Sequence, residues 1–289
     1  MNILLGLLEQ GLIFGILSLG LYITYSILNF PDLSVDGTFP LGGAISTYFI
    51  LKGFGGELAL IMAIVAGGLA GLITGIIHVK LKIKDLLSGI IVMTGLYTVN
   101  LFIAGKSNVP IFNEKTIFNN ELNKSLGFLG NYKRLIIVLI FTLVFKLLLD
   151  LYLKTKSGYL LKATGNNSTL VKLLGKDPGN MKILGLVMAN ALVCAAGAIM
   201  MQHQRFFEIS MGTGTMIIGL ASVIIGVKVF KKLPFKDTTK VILGSIVYRG
   251  IIAVAIMIGL SPNSMKLITA IIFLVILLIS RRDEEDVRA

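Results

Sequence analysis

The chain has 289 residues, of which 55% are hydrophobic and 15% charged, and its mean hydropathy is +0.88. A single soluble core of this size cannot bury so much apolar surface, so the composition excludes an ordinary soluble protein and indicates an integral membrane protein. The formal net charge of +12 comes from short basic blocks between apolar segments, which favours a positive-inside membrane pattern over nucleic-acid binding. The single cysteine, Cys194, excludes an intrachain disulfide.

Seven apolar segments are long enough to cross a bilayer as helices. In chain order they cover residues 3–28, 57–79, 86–104, 135–153, 183–201, 240–260 and 265–280. Two further segments, 38–51 and 212–227, look too short and too rich in glycine for ordinary spans, and we expect them to be broken helices. The predicted fold is therefore an all-α integral membrane protein with eight or nine transmembrane segments.

Lysine and arginine recur in alternate connections of the chain. Three lysines lie in residues 80–84, six in 154–182 and five in 228–240, and three arginines lie in 281–289. The positive-inside rule places these connections in the cytoplasm. With nine crossings, the N-terminus is expected outside and the tail 281–289 inside.

The stretch L-S-V-D-G-T-F-P-L-G-G-A, residues 33–44, is unusual between two apolar segments. Asp32 and Asp36 lie in or beside it, together with three glycines and a proline. Acids and irregular backbone at membrane depth are tolerated only where protein buries them or where they line a cavity. We therefore expect a pathway or a pocket here.

An internal similarity links this stretch to a second one. Residues 37–44 align with residues 214–221 at G, T, G and A, with an offset of 177 that also superimposes neighbouring spans. An odd number of crossings separates the copies, so they would form inverted repeats, 3–104 and 183–280, around an unpaired central helix at 135–153. Transporters place such paired, glycine-interrupted segments at the substrate site. Chance similarity between glycine-rich helices is the alternative.

The repeat predicts a translocation path walled by two segments, with the N-terminal dipole of either broken helix able to meet a carboxylate. Its predicted residues are Asp36, Gly37, Thr38, Gly212, Thr213, Gly214 and Thr215. Asn100 and Asn190 lie within spans, where hydrogen bonds between helices are favoured over ligand contact. Arg249 also lies within a span, and either neutralisation near Asp36 or solute contact would explain it.

Other polar residues have structural explanations. Lys146 and Asp150 are spaced to pair on one helix, and Arg205 and Glu208 could pair or line the outer mouth. His78 and His203 are expected at membrane interfaces, so no metal site and no cofactor is predicted. The sequence also lacks a G-x-x-x-x-G-K-[ST] phosphate loop, so the chain is not expected to hydrolyse ATP or to be an enzyme.

The connection 154–182 contains a candidate surface helix. Residues 168–174 can form a short amphipathic helix, with Asn166 or Asn167 as its N-cap and Gly175 at its end. Either this helix presents a face to a partner, or the segment is a lysine-rich loop held near anionic membrane lipid.

Several of these stretches together resemble a known family. They are K-A-T-G-N-N followed by L-G-K-D, then N-A-L-V-C-A-A-G-A-I-M-M-Q, M-G-T-G-T and G-L-A-S-V-I-I-G, besides L-S-V-D-G-T-F-P-L-G-G-A. The chain resembles bacterial ABC importer permeases of the branched-chain amino acid and ribose permease superfamily, closest to the branch associated with tryptophan/tyrosine uptake. Lys176 and Arg205 depart from the residues expected there.

The resemblance implies a permease homodimer in the bacterial plasma membrane, a separate cytoplasmic ABC ATPase and an external substrate-binding lipoprotein. It also implies that the surface helix is the coupling helix that docks on the ATPase. The residues concerned are Gly165, Asn166, Asn167, Leu170, Leu174, Gly175, Lys176 and Asp177.

Two functions follow from different premises. The favoured one is the permease of an ABC importer for a small solute, an amino acid and by resemblance an aromatic one. The alternative is a self-contained secondary transporter, in which Asp36 would carry protons or coordinate an ion. A purely structural membrane scaffold is disfavoured by the polar groups within the spans.

Overall fold

The structure is a computed structural model that describes residues 2–119, 130, 132–259, 267, 269–276 and 278. The described part is almost entirely helical. Its α-helices are α1 (Asn2–Leu21), α2 (Val35–Leu51), α3 (Gly56–Val79), α4 (Asp85–Ala104), α5 (Lys133–Tyr152), α6 (Lys156–Asn166), α7 (Ser168–Leu173), α8 (Pro178–Gln204), α9 (Thr215–Ile224) and α10 (Asp237–Met257). Two π-helices, Tyr22–Ile27 and Ile225–Val229, extend α1 and α9, and a 3₁₀ helix, Ile209–Gly212, precedes α9.

Seven helical stretches of the described residues are long and apolar enough to cross a membrane. They confirm the all-α membrane fold, and six correspond to predicted spans: Leu4–Ile27, Gly56–Val79, Asp85–Ala104, Lys133–Tyr152, Pro178–Gln204 and Asp237–Met257. The predicted span 265–280 falls partly outside the described residues, and those of it that are described are helical. The count of eight or nine segments therefore stays a prediction.

The seventh stretch corrects the prediction for 212–227. The 3₁₀ helix, α9 and the following π-helix together run from Ile209 to Val229, 21 residues, which is enough to span a bilayer. The π-helix and the 3₁₀ helix add length that the glycine-rich pattern did not suggest. This helical stretch is nevertheless interrupted between the 3₁₀ helix and α9, because Thr213 is extended and Gly214 has a φ of +81°.

Helix α2 is the other short segment, with 17 residues and Pro40 inside it. It is separated from the first membrane helix by the irregular residues 28–34 and packs among α3, α4 and α8. Most of its side chains are buried, so α2 lies within the protein rather than at its lipid-facing surface.

Helix α8 is the centre of the fold. Its middle is rich in alanine and glycine, which lets α2 and α3 approach closely. The packing is reciprocal between the two halves: α3 and α2 contact α8, while α10 and α9 contact α1. This reciprocity agrees with two similar halves, and the inverted repeat itself stays a prediction.

A small sheet lies at the predicted outer side. Strands β1 (Asn108–Pro110) and β2 (Phe206–Glu208) pair antiparallel, with Val109 opposite Phe207. Nearby, the fully buried Gln202 donates hydrogen bonds to Ser46 Oγ at 2.9 Å and to Gly56 O at 3.1 Å. These bonds fasten the end of α8 to α2 and α3, so the segment that leads into α9 starts from a fixed position.

Candidate functional site

The carboxylate of Asp36, in the first turn of α2, is bound to the start of α9. Its Oδ2 accepts from the Gly214 backbone N–H at 3.0 Å. Its Oδ1 accepts from the Met216 N–H at 2.8 Å and from the Thr215 hydroxyl at 3.0 Å. A helix N-terminus has free N–H groups and a positive dipole end, so an acid from another segment is a favourable cap. Asp36 thus joins the two segments that the repeat singled out.

The glycines beside this cap are required by geometry. A Cβ on Gly212 would overlap the carbonyl oxygen of Asp36, so only glycine allows this approach of the two segments. Gly214 adopts the left-handed conformation that other residues rarely adopt. The G-T-G-T pattern therefore encodes a close crossing followed by a sharp turn into α9.

A cavity of about 590 Å³ and one of about 470 Å³ open at different places, and the second lies at this junction. It is enclosed by α2, α4 and the segment before α9. The lining residues are Asp36, Gly37, Pro40, Met93, Thr94, Tyr97, Asn100, Ile209, Ser210 and Thr213. Four residues of the predicted path are thus brought together, and α4 contributes three lining residues that sequence reasoning missed: Met93, Thr94 and Tyr97.

The other predicted path residues of these segments lie next to the cavity without lining it. Thr38 is fully buried, and its hydroxyl donates to Ser34 O at 3.0 Å. Thr215 is also buried, and its hydroxyl lies 3.0 Å from Gly212 O as well as from Asp36. These hydroxyls stabilise the first turn of α2 and the turn that leads into α9.

Asn100 connects α4 to α2 at the cavity. Its Nδ2 donates to Gly37 O at 3.0 Å, which is the bond between helices that was expected of it. Its Oδ1 is buried and has no hydrogen-bond partner among the described residues. A buried acceptor without a donor costs about 1–3 kcal/mol, so the α2–α4 contact is not fully satisfied in this conformation.

Asn190 belongs to a separate buried cluster. It donates to Asp32 Oδ2 at 2.9 Å, and Ser34 donates to Asp32 Oδ1 through its backbone N–H and its hydroxyl. The cluster ties the irregular residues before α2 to α8. Its signal in the sequence was the Asp-x-Ser spacing, which favours a side-chain turn, but nothing there pointed to Asn190 as the partner. Solute contact by Asn190 stays a prediction.

Arg249 lies over an aromatic ring instead of beside an acid. Its guanidinium carbon is 3.9 Å from the centre of the Phe14 ring, which itself stacks on Phe39 at 5.8 Å. Neutralisation near Asp36, one of the two explanations offered for Arg249, is not observed, since the Asp36 carboxylate accepts from the start of α9. Solute contact by Arg249 stays a prediction. Within the described residues, Nε of Arg249 is buried without a hydrogen-bond partner, so the face of Phe14 stabilises the charge.

The two predicted side-chain pairs have different outcomes. Lys146 pairs with Asp150 at 3.1 Å, as predicted. Arg205 and Glu208 form no pair: Arg205 Nη1 donates to Phe112 O at 2.9 Å, and Glu208 accepts from the Ser210 hydroxyl. Arg205 ends α8 with a left-handed backbone conformation. Arg205 lines the 590 Å³ cavity.

The two histidines make local contacts. His203 Nε2 lies 2.7 Å from Glu9 Oε2, and both side chains are largely buried. His78 Nδ1 lies 2.9 Å from Ile83 O, near Lys182. Among the described residues there is no group of three metal-binding side chains.

The segment 165–179 folds as a capped surface helix. Asn167, and not Asn166, is the N-cap of α7: its Oδ1 accepts from the N–H groups of Thr169 at 3.1 Å and Leu170 at 3.2 Å. Gly175, with a φ of +70°, follows the end of the helix as predicted. Asp177 caps α8 through the Gly179 N–H at 2.8 Å.

Helix α7 presents an apolar face to its surroundings. Leu170, Leu173 and Leu174 are all exposed, Leu173 to 80%, while Val171 is fully buried. Lys176 and Asn166 are exposed beside this face. Gly165 packs so closely on the carbonyl of Ile27 that a Cβ would overlap it, which ties this segment to the end of the first membrane helix. Leu173 was missing from the predicted set because the pattern alone did not fix the rotation of the helix.

Comparison with known proteins agrees with the architecture. A family model described as branched-chain amino acid transport system, permease component, matches residues 3–279. A tyrosine transport system permease protein of Clostridioides difficile is 44% identical over 96% of this chain and 91% of its own length. A probable branched-chain amino acid transport permease protein LivH of Methanocaldococcus jannaschii is 30% identical over 70% of this chain and 66% of its own length. The ribose import permease protein RbsC of Escherichia coli K12 is 24% identical over 78% of this chain and 69% of its own length.

Proposed function

The chain belongs to the family of branched-chain amino acid transport permease components, and we propose that it forms the path of a bacterial ABC importer for an aromatic amino acid. It is a multi-pass protein of the plasma membrane and a transport subunit, not an enzyme. The description of the matching family supports an amino acid as the solute, and the relative whose name specifies tyrosine supports an aromatic one.

The cavity between α2, α4 and the segment before α9 is the observation that carries this proposal. It is lined by Asp36 and Gly37 from one segment and by Thr213 from the other, and Tyr97 and Met93 of α4 add an aromatic ring and a thioether. A polar wall beside an aromatic one suits a solute with charged groups at one end and a ring at the other.

Asp36 has a structural role in this path. All three hydrogen bonds that its carboxylate accepts from the described residues come from groups at the start of α9, so its charge is already balanced by a helix N-terminus. This arrangement favours Asp36 as the residue that links the two proposed path segments. It gives no support to the use of Asp36 as a proton or ion carrier.

Energy for transport is proposed to come from a separate cytoplasmic ABC ATPase that docks on α7. The exposed leucines 170, 173 and 174 provide an apolar anchor, and the neighbouring Asn166 and Lys176 provide a polar rim. An external substrate-binding lipoprotein would deliver the solute, and a second copy of the chain would complete the path. The family supports an ATPase and a binding protein as partners in general, and the second copy is part of the proposal.

Uptake of radiolabelled tyrosine into proteoliposomes tests the path. The chain is reconstituted with its ATPase and binding protein, and Gly37→Leu is expected to abolish uptake because Gly37 lines the cavity and packs against the Met93 backbone. Asp36→Asn is expected to reduce it. Gly95→Leu is the matched control, since Gly95 is exposed on α4 with nothing near its Cβ position. Full uptake by Gly37→Leu and Asp36→Asn would refute the proposed path.

Co-purification tests the docking helix. The triple variant Leu170→Ser, Leu173→Ser and Leu174→Ser is expected to lose a stoichiometric ATPase, identified by mass spectrometry from its phosphate-loop peptide. Leu81→Ser changes an exposed leucine outside this segment and should retain the ATPase. Tyrosine uptake driven by an ion gradient in the absence of any ATPase would contradict the importer and indicate secondary transport.

A further inference from the structure

At the predicted cytoplasmic end of α5, the carboxylate of a buried acid, Asp150, accepts from three other side chains. Asp150 is only 6% exposed. It accepts from Lys146 at 3.1 Å, from Lys236 at 2.9 Å and from the Thr238 hydroxyl at 2.6 Å. The two lysines more than balance its charge, so this end of the helix has no net negative charge.

The second acid of this region is also paired. Asp237 lies 3.3 Å from the ammonium group of Lys240, and its other oxygen accepts from the Tyr22 hydroxyl at 3.5 Å. With both acids engaged, further lysines in the same place contribute uncompensated positive charge.

A cavity of about 300 Å³ contains two such lysines. Lys154 follows α5 and Lys162 lies on α6; both line the cavity, both are exposed, and neither has a carboxylate partner among the described residues. Lys162 lies 5.8 Å from the centre of the Tyr159 ring, which also lines the cavity, as does Phe235. The cavity therefore combines free ammonium groups with exposed aromatic rings, which favours a bound anion at a membrane interface.

An apolar strip on α5 leads to this cavity. Leu147 and Leu151 are spaced i, i+4, which places them on one side of α5, and Lys154 follows just after the end of that helix. Leu147 is 54% and Leu151 63% exposed. A free anion makes no favourable contact with these leucines, whereas the acyl chains of a phospholipid would pack against them.

We propose that this cavity binds the phosphate headgroup of an anionic phospholipid of the cytoplasmic leaflet. Lys154 and Lys162 bind the phosphate, the rings of Tyr159 and Phe235 lie at the level of the headgroups, and the acyl chains follow the exposed leucines of α5. Basic residues near an anionic membrane surface attract such lipids. The site lies apart from the cavity of the transport path and is independent of the solute.

Tryptophan fluorescence can measure this binding, because the chain contains no tryptophan. Tyr159→Trp places a single reporter at the cavity, and the full chain is reconstituted in nanodiscs of phosphatidylcholine with a small fraction of brominated lipid. Brominated phosphatidylglycerol is expected to quench the reporter more than the same fraction of brominated phosphatidylcholine. Lys154→Gln and Lys162→Gln are each expected to reduce that preference about fivefold, and together to abolish it.

Two controls separate a built site from general attraction. Leu81→Trp places the reporter beside Lys80 and Lys82, which line none of the three cavities described above, and should show a weaker preference. Cys194 is buried, so its lack of reaction with a maleimide shows that each variant is folded. Equal quenching by both lipids would overturn the proposal, as would a preference that survives the double substitution. Suppression of the preference by millimolar inorganic phosphate would instead assign the cavity to a soluble phosphate.

Discussion

Asp36 on α2 and Thr215 at the start of α9 are 179 residues apart in the chain and 3.0 Å apart through their side-chain oxygens. With the N–H groups of Gly214 and Met216, Thr215 completes a helix cap built from a distant segment. A cap supplied in this way makes the start of α9 dependent on the position of α2. Any movement of one of these two segments therefore acts on the other.

Removal of this cap should destabilise the protein. Asp36→Ala is expected to cost about 1–2 kcal/mol, because the N–H groups of Gly214 and Met216 lose their acceptor. Asp36→Asn retains an acceptor oxygen and should cost less. The measurement is the temperature at which Cys194, the single cysteine and a buried one, becomes reactive to a fluorogenic maleimide.

Asp85→Ala is the control for the Asp36 variants. Asp85 also lies in the first turn of a helix, but among the described residues its carboxylate accepts only from the exposed N–H of Leu86. Its removal should shift the transition much less. An Asp36→Ala protein as stable as the Asp85→Ala protein would show that the cap contributes nothing to the fold.

The amide of Asn100 gives a second prediction. Asn100→Leu removes one hydrogen bond to Gly37 O but also removes an unsatisfied buried oxygen, so these effects should nearly cancel in thermal stability. Asn100→Asp places a second oxygen against Gly37 O and should cost at least about 2 kcal/mol. The thiol-reactivity assay ranks the two variants. A stable Asn100→Leu protein that loses uptake would indicate that Asn100 contacts the solute. An Asn100→Leu protein far less stable than the wild type would show that the unsatisfied oxygen does not lower the stability of the fold.

Local features could be predicted from the sequence, and contacts across the fold could not. The end of α7 at Gly175 and a cap at Asn166 or Asn167 depend on chemistry within three or four residues, and both are present. The acid at Asp36 was recognised as misplaced in a membrane. Its partners at Gly214 and Met216 were not, because their separation of 178 and 180 residues leaves no local pattern.

Arg249 shows why charge patterns alone mislead within a membrane domain. For an arginine in an apolar span, the sequence left two explanations open, neutralisation near Asp36 and solute contact. The face of Phe14 stabilises the guanidinium instead, and an aromatic residue carries no sign in a charge pattern. The same limit explains why Met93 and Tyr97 of α4 were missed as lining residues of the cavity.

Substitutions in the Asp150 cluster should destabilise the protein by different amounts. Asp150→Ala leaves the mostly buried ammonium of Lys146 without its acid and should cost about 3 kcal/mol. Lys236→Gln should cost less than about 1 kcal/mol, because Lys236 is half exposed. Thr238→Val should fall between them at about 1 kcal/mol. Thermal unfolding followed through Cys194 gives the order, and an Asp150→Ala protein no less stable than Lys236→Gln would contradict the cluster as a link between α5 and α10.

The caps of the surface helix provide the last prediction. Asn167→Ala removes the acceptor for the N–H groups of Thr169 and Leu170 and should weaken α7 by about 1 kcal/mol, which corresponds to roughly fivefold faster amide exchange. Asn166→Ala is the matched control, since Asn166 is the last residue of α6 and is exposed without a capping bond in α7. Hydrogen exchange with mass spectrometry on peptides from 165–177 measures both variants. Equal exchange in the two would mean that α7 is held by the burial of Val171 rather than by its cap. A faster exchange confined to Asn167→Ala would show that this cap sets how rigidly the exposed leucines are presented.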